Sequence, residues 1–360
     1  MMNRCKECLL PDTAPKVVFE DGVCLACTNY KKRKDINWGE RHNELKNICD
    51  KYRGNGFYDC VVPVSGGKDS HFIVHKIKNE MGMNPLLVTV GDPFTSTRAG
   101  LSNFNNLSET FNCDQLLFNI SSDVFRRATR AAFEQLGEPL KFVELAIYIM
   151  PYNIASNLGI PIVIFGENSA YEYGYVYENS KSLDVDKMMK SVDYDFWARN
   201  GIKEEEMNSI RPPTCRSCDP QVLFMSYFYP WSSRTNLDVA RRYGFVDLSN
   251  EWNRLGYVEH FEQIDSIAYL FHLWMKYPKF GFQRTTDIVS RRIREGFINK
   301  EEGLELIRDN DHNLDPESVR DFLDFTKYTR KEFLAILNKW WNENIFVRMD
   351  NDIWKLKQEL

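Results

Sequence analysis

Between residues 60 and 165 the chain alternates two kinds of hydrophobic pattern. Apolar runs at 60–64 (CVVPV), 85–91 (PLLVTVG) and 161–165 read as buried strands, and 114–120 (DQLLFNI) as a further strand. Between them, apolar residues recur at helical spacing. Phe72, Ile73, Ile77 and Met81 share one face, and Leu101, Phe104, Leu107 and Phe111 are expected to point inward from a helix over 97–111. Val124, Phe125, Ala128 and Ala132 follow a cap expected at Ser121, and a further helix is expected over 143–158. Strands and amphipathic helices alternating in this way predict an α/β fold with a doubly wound parallel sheet. In such sheets ligands collect at the carboxyl ends of the strands.

Outside this span the pattern changes. A helix is expected over 38–52, with Trp38, Leu45, Ile48, Cys49 and Tyr52 inward, behind a charged linker at 31–36. Residues 175–206 are aromatic and charged with little periodicity and read as an insertion on the acceptor side of a site. The last hundred residues read as helical, with a stripe of Ile264, Ile267, Ala268, Phe271 and Met275, a helix pair at 288–297 and 300–308 about Gly296, and two further helices. The pair looks like a helix–turn–helix, but Asp309, Asp311, Asp315, Glu317 and Asp321 beside it oppose DNA binding. The expected division is therefore 1–36, 37–250 and 251–360.

The chemistry centres on the turn after the first strand, Ser65-Gly66-Gly67-Lys68-Asp69-Ser70. Strand, glycine turn and helix aim free backbone N–H groups at an anion. Gly66 and Gly67 let the backbone approach a ligand, Ser65 and Ser70 add hydroxyl donors, and Lys68 adds charge. Asp69 can reach a metal or orient the loop. The spacing is not that of a Walker loop, which places four residues between its first glycine and its Gly-Lys pair. The carboxyl-end rule singles out two further loops, 91–98 with Asp92, and 166–174 with Gly166, Glu167, Asn168 and Glu172. These polar residues are placed to hold Mg²⁺, a ribose or an acceptor, or else serve only as turn residues.

Six of the nine cysteines lie in Cys-x-x-Cys pairs. Cys5, Cys8, Cys24 and Cys27 have the spacing of a zinc knuckle, a closed four-thiolate site with a structural role. Cys215 and Cys218 have no second pair downstream, and can join Cys113 as ligands of an iron–sulfur cluster or remain local thiols. Tyr227 to Trp231 form either a sugar-stacking wall or core, and Arg284 either a phosphate contact or a surface ion pair. A net charge of −5 argues against a dedicated nucleic-acid binder. The polar start and the lack of a long apolar run predict a cytoplasmic protein with no membrane insertion.

The SGGKDS turn resembles the PP-loop of ATP pyrophosphatases, which cleave ATP to AMP and pyrophosphate, and the expected fold is of the adenine nucleotide α-hydrolase-like type. The knuckle, VSGGKDSH, VGDPF, GEN-x-x-x-EYG and KFGFQRTTD together resemble the N-acetyl sugar amidotransferases, over nearly the whole chain. That family makes acetamidino sugars for O-antigen lipopolysaccharide and flagellin glycans, including the pseudaminic-acid type. The resemblance implies conversion of an acetamido group, on a sugar expected to be nucleotide-linked, to an acetamidino group with ATP, Mg²⁺ and ammonia. Catalytic roles are expected for Lys68 and Asp69 and, from loop position alone, for Glu167 and Glu172; nucleotide contacts are expected from Ser65, Gly66, Gly67, Asp69 and Ser70 of the turn and from Asp92, Gly166 and Asn168 in the loops beside it. No glutaminase signature is present, since no cysteine sits in a Gly-x-Cys-x-Gly elbow and the chain starts Met1-Met2-Asn3. Ammonia is therefore expected free or channelled from a separate glutaminase and a barrel-shaped partner. The alternative is a tRNA-thiolation enzyme of the same superfamily using Cys113, Cys215 and Cys218.

Overall fold

The computed structural model describes residues 2–350 and 353–357. A short hairpin, β1 (Phe19–Glu20) and β2 (Val23–Cys24), runs into helix α1 (Leu25–Lys32). Of the strand-like run 16–19 only Phe19 joins a strand. The expected linker is mostly helical: α1 reaches Lys32 and a 3₁₀ turn follows at Arg33–Asp35, with Lys31 and Lys32 placed where cations suit a helix end. Helix α2 (Trp38–Tyr52) occupies the expected residues, with Asn37 capping the Glu40 N–H.

Five parallel strands form the central sheet: β3 (Cys60–Pro63), β4 (Pro85–Gly91), β5 (Gln115–Asn119), β6 (Ile162–Phe165) and β7 (Gln221–Phe224). Their order is β5-β4-β3-β6-β7. The chain winds outward from β3 to one edge, then returns to β6 and winds to the other. The order reverses between β3 and β6, which are joined through Val61 and Val163, and this is the switch point at which doubly wound sheets bind ligands. Strand β7 was not foreseen. Its apolar run passes straight into Met225–Phe228 with no turn residue to mark a strand end.

Alternating residues send each strand's side chains to two separate cores. Val62, Val64, Leu87, Ile162, Ile164 and Leu223 pack with Leu45 and Cys49 of α2, Phe72 of α3 (Lys68–Val74) and Leu107 of α4 (Arg98–Phe111). Val61, Leu86, Val88, Val163, Val222 and Phe224 pack with Phe125 and Ala128 of α5 (Ser122–Leu136) and Ala146 and Ile149 of α6 (Lys141–Leu158). Phe271, Trp274, Phe322, Phe333 and Phe346 from the C-terminal region belong to this second core. Ser121 precedes α5 as expected, but its carbonyl rather than its side chain bonds to the helix, accepting from Phe125 N at 2.9 Å.

Three expectations are corrected. Leu101 does not point inward, being 52% exposed at the wall of an open cavity. The stripe from Ile264 is not one helix, since helix begins only at Tyr269. Residues 261–268 instead cross the sheet's carboxyl edge with burial alternating every second residue, Ser266 bridging to Ser96. Residues 176–206 form short helices packed by Val185, Met189 and Trp197 on the second core, so of the supposed acceptor-side insertion only Tyr175 lines one of the two large cavities. The C-terminal helices Arg284–Arg294, Lys300–Asn310, Pro316–Thr326 and Arg330–Leu337 are followed by an unforeseen hairpin, β8 (Phe346–Arg348) and β9 (Trp354–Leu356).

Candidate active site

The SGGKDS turn leaves β3 at the switch point and the 166–174 loop leaves β6 beside it. Gly66 has φ +92°, and a Cβ there would lie 2.9 Å from Phe104 N, so this position requires glycine. Ser70 Oγ accepts from Ser65 N at 3.0 Å, and Ser65 Oγ accepts from Gly67 N at 3.3 Å. Both hydroxyls thus shape the loop while keeping a proton to donate. Behind it, His71 Nδ1 faces Gly67 O at 3.1 Å and its Nε2 faces Asn106 Nδ2 at 3.2 Å. Burial lowers the His71 pKa, so the neutral ring donates to Gly67 O and accepts from Asn106.

Lys68 is buried, with Nζ 2.9 Å from Asp69 Oδ2 and 3.4 Å from Glu262 Oε1. Burial opposes its charge, but Asp69 and Glu262 outweigh burial and hold its pKa above the ordinary lysine value. Asp69 Oδ1 accepts from Asn236 Nδ2 at 2.7 Å. Glu262 is the hub of this cluster. It takes Arg284 at 2.7 Å, an ion pair from Arg291 and the Ser233 hydroxyl at 2.9 Å. Despite burial, Arg291, Lys68 and Arg284 hold its carboxyl well below the usual range. Arg284 also donates to the Tyr173 hydroxyl at 2.7 Å, so it is an interior residue and not a surface ion pair. Asp69 beside Lys68 and Asp287 at 3.9 Å from Arg284 bring the carboxylates facing these three cations to three.

Two cavities meet at the loop. One, of ≈ 570 Å³, lies over the carboxyl ends of β3, β4 and β6 and is walled by Val90, Leu101, Phe104, Leu117 and Ile147, with Asp92 and Gly166 on its lining. Asp92 accepts from Ser266 Oγ at 2.9 Å and Phe94 N at 3.0 Å, and burial raises its pKa. The other, of ≈ 560 Å³, is polar and runs from Lys68 past Arg284 and Arg291 to Lys141, Lys276 and Lys279. Ser65, Asp69, Ser70, Glu167 and Asp265 line both. Burial raises the Glu167 carboxyl to about 7, and among the described residues it forms no ion pair. Burial and the nearby Asp92 raise Asp265 to about 7 as well.

Other singled-out residues lie elsewhere. Glu172 is ion-paired to Arg33 and lines neither large cavity. Asn168 is buried, with Oδ1 accepting from Tyr171 N at 3.4 Å and Nδ2 donating to Ser180 O at 3.2 Å, so its side chain shapes the loop. Of the aromatic run, Phe228 is core and Trp231 reaches the apolar cavity. Glu262, Asp265, Asn236 and Arg291 were missed by sequence reading. Over 261–268 burial alternates, but the buried residues Glu262, Ile264, Ser266 and Ala268 are half polar, so no apolar alternation marks the crossing in the sequence.

Cys5, Cys8, Cys24 and Cys27 are buried, with sulfur atoms all within 4.8 Å of one another. Cys8–Cys24 is 3.5 Å, Cys24–Cys27 3.6 Å and Cys5–Cys27 3.9 Å. Four thiolates about 2.3 Å from a tetrahedral metal stand roughly 3.8 Å apart, so the donor set fits a closed four-sulfur site. The knuckle braces the 166–174 loop. Asn29 donates to Tyr171 O at 2.9 Å and Val176 O at 3.0 Å, and Val18 N to Gly174 O at 3.0 Å. Cys113, Cys215 and Cys218 do not form a cluster. Cys113 precedes edge strand β5 and Cys218 precedes β7 at the opposite edge. Four strand spacings separate those edges, roughly 19 Å, and both cysteines lie at the amino ends, away from the loop. Of the two readings of Cys113, Cys215 and Cys218, the structure favours separate local thiols over a shared three-cysteine set.

Order reversal at the switch point, with the SGGKDS turn upon it, defines a doubly wound α/β fold of the PP-loop type. Residues 250–360 match the family model described as the C-terminal domain of WbpG-like LPS biosynthesis proteins. The chain is 23% identical over 208 residues to an uncharacterized protein of Methanocaldococcus jannaschii, MJ1599, covering 56% of this chain and 70% of that one. Among solved structures it is similar to the NH3-dependent NAD synthetase of Campylobacter jejuni, at 17% identity and TM-score 0.31, covering 46% of this chain and 78% of that one. It is also similar to the U34-tRNA thiolase NcsA of Methanococcus maripaludis with its [4Fe-4S] cluster, at 11% identity and TM-score 0.31, covering 82% and 85%. Among the described residues no helix is long and apolar enough to cross a membrane.

Proposed function

We propose that the chain is an ATP-dependent amidotransferase of lipopolysaccharide biosynthesis. It converts an acetamido group on a nucleotide-linked sugar to an acetamidino group through an adenylated imidate. The observation that carries this reading is the meeting, at the SGGKDS loop, of an apolar-walled cavity and a second one lined by lysine, arginine and carboxylate side chains alike, with Glu167 on both. The WbpG-like match over 250–360 supports the glycan context.

The nucleoside of ATP fits the apolar cavity, its triphosphate passes over the loop, and the acceptor sugar fits the polar cavity. The amide oxygen bonds to the α-phosphorus and pyrophosphate leaves with the electrons of the broken P–O bond, while the amide N–H proton is released. The resulting imidate has AMP as its leaving group. Ammonia forms the new C–N bond, AMP departs with the C–O electrons, and the product is an amidinium. Loop N–H groups and Lys68 stabilise the departing pyrophosphate, so catalysis comes from positioning and charge. Glu167 accepts a proton during nitrogen delivery and faces the cationic product. Glu172, neutralised by Arg33, has a supporting role only.

Asp69, whose side chain is 40% exposed, is the carboxylate that fits Mg²⁺, which when bound offsets phosphate charge. The four-thiolate site suits a structural Zn²⁺. Ammonia reaches the enzyme as free ammonium or from a separate glutaminase, channelled with a barrel-shaped partner. Chromatography of nucleotides after incubation with ammonium and acetamido sugars tests the reading. AMP and pyrophosphate are expected in step with amidine, and ADP with orthophosphate would refute it.

A further inference from the structure

The proposed reaction takes protons from two nitrogens. The acceptor's amide nitrogen loses its hydrogen as the imidate forms, and the incoming nitrogen loses one as the amidine forms. Both events belong where the nucleotide and sugar cavities meet. Three carboxylates line that junction on both sides: Asp69, Glu167 and Asp265. Asp69 is committed, with Oδ1 accepting from Asn236 and Oδ2 from Lys68. Glu167 serves the incoming nitrogen, which leaves the amide proton without an acceptor.

Asp265 is built to take it. Its backbone is fixed against the start of α4, where Thr97 N donates to Asp265 O at 3.1 Å and the Thr97 hydroxyl to Ile264 O. Two residues on, Ile267 N donates to Thr95 O at 2.9 Å. The packing is so close that a Cβ on Gly100 would stand 2.9 Å from Asp265 O. On this rigid base the side chain has no ion pair among the described residues, and its Oδ1 is buried without a hydrogen-bond partner. Oδ2 is therefore the oxygen open to the junction. Neighbouring Asp92 differs, since each of its oxygens already takes a donor, from Phe94 N or Ser266 Oγ. A carboxylate held in place with no donor of its own is a poor structural element and a good proton acceptor.

We propose that Asp265 is a catalytic base of the adenylation step, taking the amide proton and returning it when ammonia adds. The inference rests on the amidotransferase reading. In the first step the amide oxygen bonds to the α-phosphorus and pyrophosphate leaves with the P–O electrons. The N–H electrons become the imidate C=N bond, and the proton passes to Asp265 Oδ2. In the second step the ammonia lone pair forms the C–N bond, while the C=N electrons take the proton back from Asp265. The surplus proton on the new nitrogen goes to Glu167. A nitrogen lone pair then restores C=N as AMP departs with the C–O electrons, leaving the amidinium. Burial and Asp92 bring the Asp265 carboxyl to about 7, so that near neutrality it can both accept and return a proton.

Asp265→Asn keeps the shape and removes the base. Acceptor-dependent AMP formation at saturating ATP and sugar should fall by about a hundredfold or more, while ATP affinity, measured by calorimetry, changes less than about twofold. Asp265→Ala should lose as much, but it leaves room at the junction for a small carboxylate. Added formate should restore its AMP formation by about tenfold or more, and chloride should not. An Asn variant with nearly wild-type turnover would overturn the proposal. So would an Ala variant that formate does not restore, or an Asn variant whose loss lies wholly in ATP affinity, since Asp265 would then hold the nucleotide instead. Failure of the amidotransferase reading shows in the wild type, where no acceptor-dependent AMP would appear with any nitrogen donor.

Discussion

Glu262→Gln is an isosteric change that removes one negative charge from the cluster behind the loop. In the native protein that carboxylate faces Lys68 at 3.4 Å, Arg284 at 2.7 Å and Arg291. At an effective dielectric of about 20, a pair 3.4 Å apart attracts by roughly 5 kcal/mol before desolvation. The amide keeps the shape but leaves three cations facing one another with Asp69 as the nearest remaining anion to Lys68. Removing one partner of a buried ion pair typically costs about 3–5 kcal/mol, and that loss is expected in urea denaturation of the free protein. The same argument predicts a compensation. Pyrophosphate competes with Glu262 for Lys68, so the variant should bind it more tightly, and added pyrophosphate should stabilise the variant more than the wild type. Melting curves with and without pyrophosphate measure both effects. A variant as stable as the wild type, or equal stabilisation of the two by pyrophosphate, would show that Glu262 does not organise these cations.

Gly66→Ala should lower ATP turnover on the order of a hundredfold, the usual cost of misplacing one preorganised donor, because φ +92° and Phe104 N both oppose a Cβ. Steady-state AMP formation measures it, and Gly67→Ala, at φ −65° with only Ser65 Oγ within 3.4 Å, should be milder. Cys24→Ser should release the metal and also slow AMP formation, since the knuckle holds the Glu167 loop through Asn29 and Val18; metal analysis beside the same assay checks that the two losses travel together. Asp311 is pushed up to about 7, by burial against the opposing pull of Thr286 and Arg4, from an ordinary 3.8. Its native form therefore binds a proton more tightly than the unfolded chain, and its contribution, full below about pH 4, is lost as pH rises through about 7. Asp311→Asn should flatten that decline, read from urea midpoints at pH 5 and pH 8.

Much of the sheet was legible because a parallel strand buried on both faces is a short unbroken apolar run. Runs at 60–64, 85–91 and 161–165 have no other reading when Gly and Pro bound them. The SGGKDS turn was legible for the same reason: glycine at positive φ between strand and helix leaves a fixed mark. β7 was hidden because Phe224 passes into Met225 without a turn. Glu262 and Asp265 were hidden because their role depends on a crossing made in space. They lie some 190 residues from Lys68, and residue type alone does not distinguish them from other acidic residues in the chain. The roles of Cys215 and Cys218 stayed open in the sequence for a related reason, since Cys-x-x-Cys spacing says nothing of what faces it across the fold.

The N-terminal knuckle is closed from far along the chain. Cys8 takes a hydrogen bond from Arg294, Thr13 donates to Phe280 O, and Phe282 completes the knuckle's apolar cluster. During synthesis the four thiols leave the ribosome some 250 residues before these partners, an interval of roughly 13–50 s at about 5–20 residues per second. Over that interval a metal bound to the four thiols would hold them together and shield them from oxidation. Such a metal would act first as a protecting group for a nascent chain and only later as one brace among several. Chains made under metal starvation should fail during synthesis, whereas the finished protein, its thiols already roofed by Phe282 and Arg294, should give up its metal slowly to a chelator.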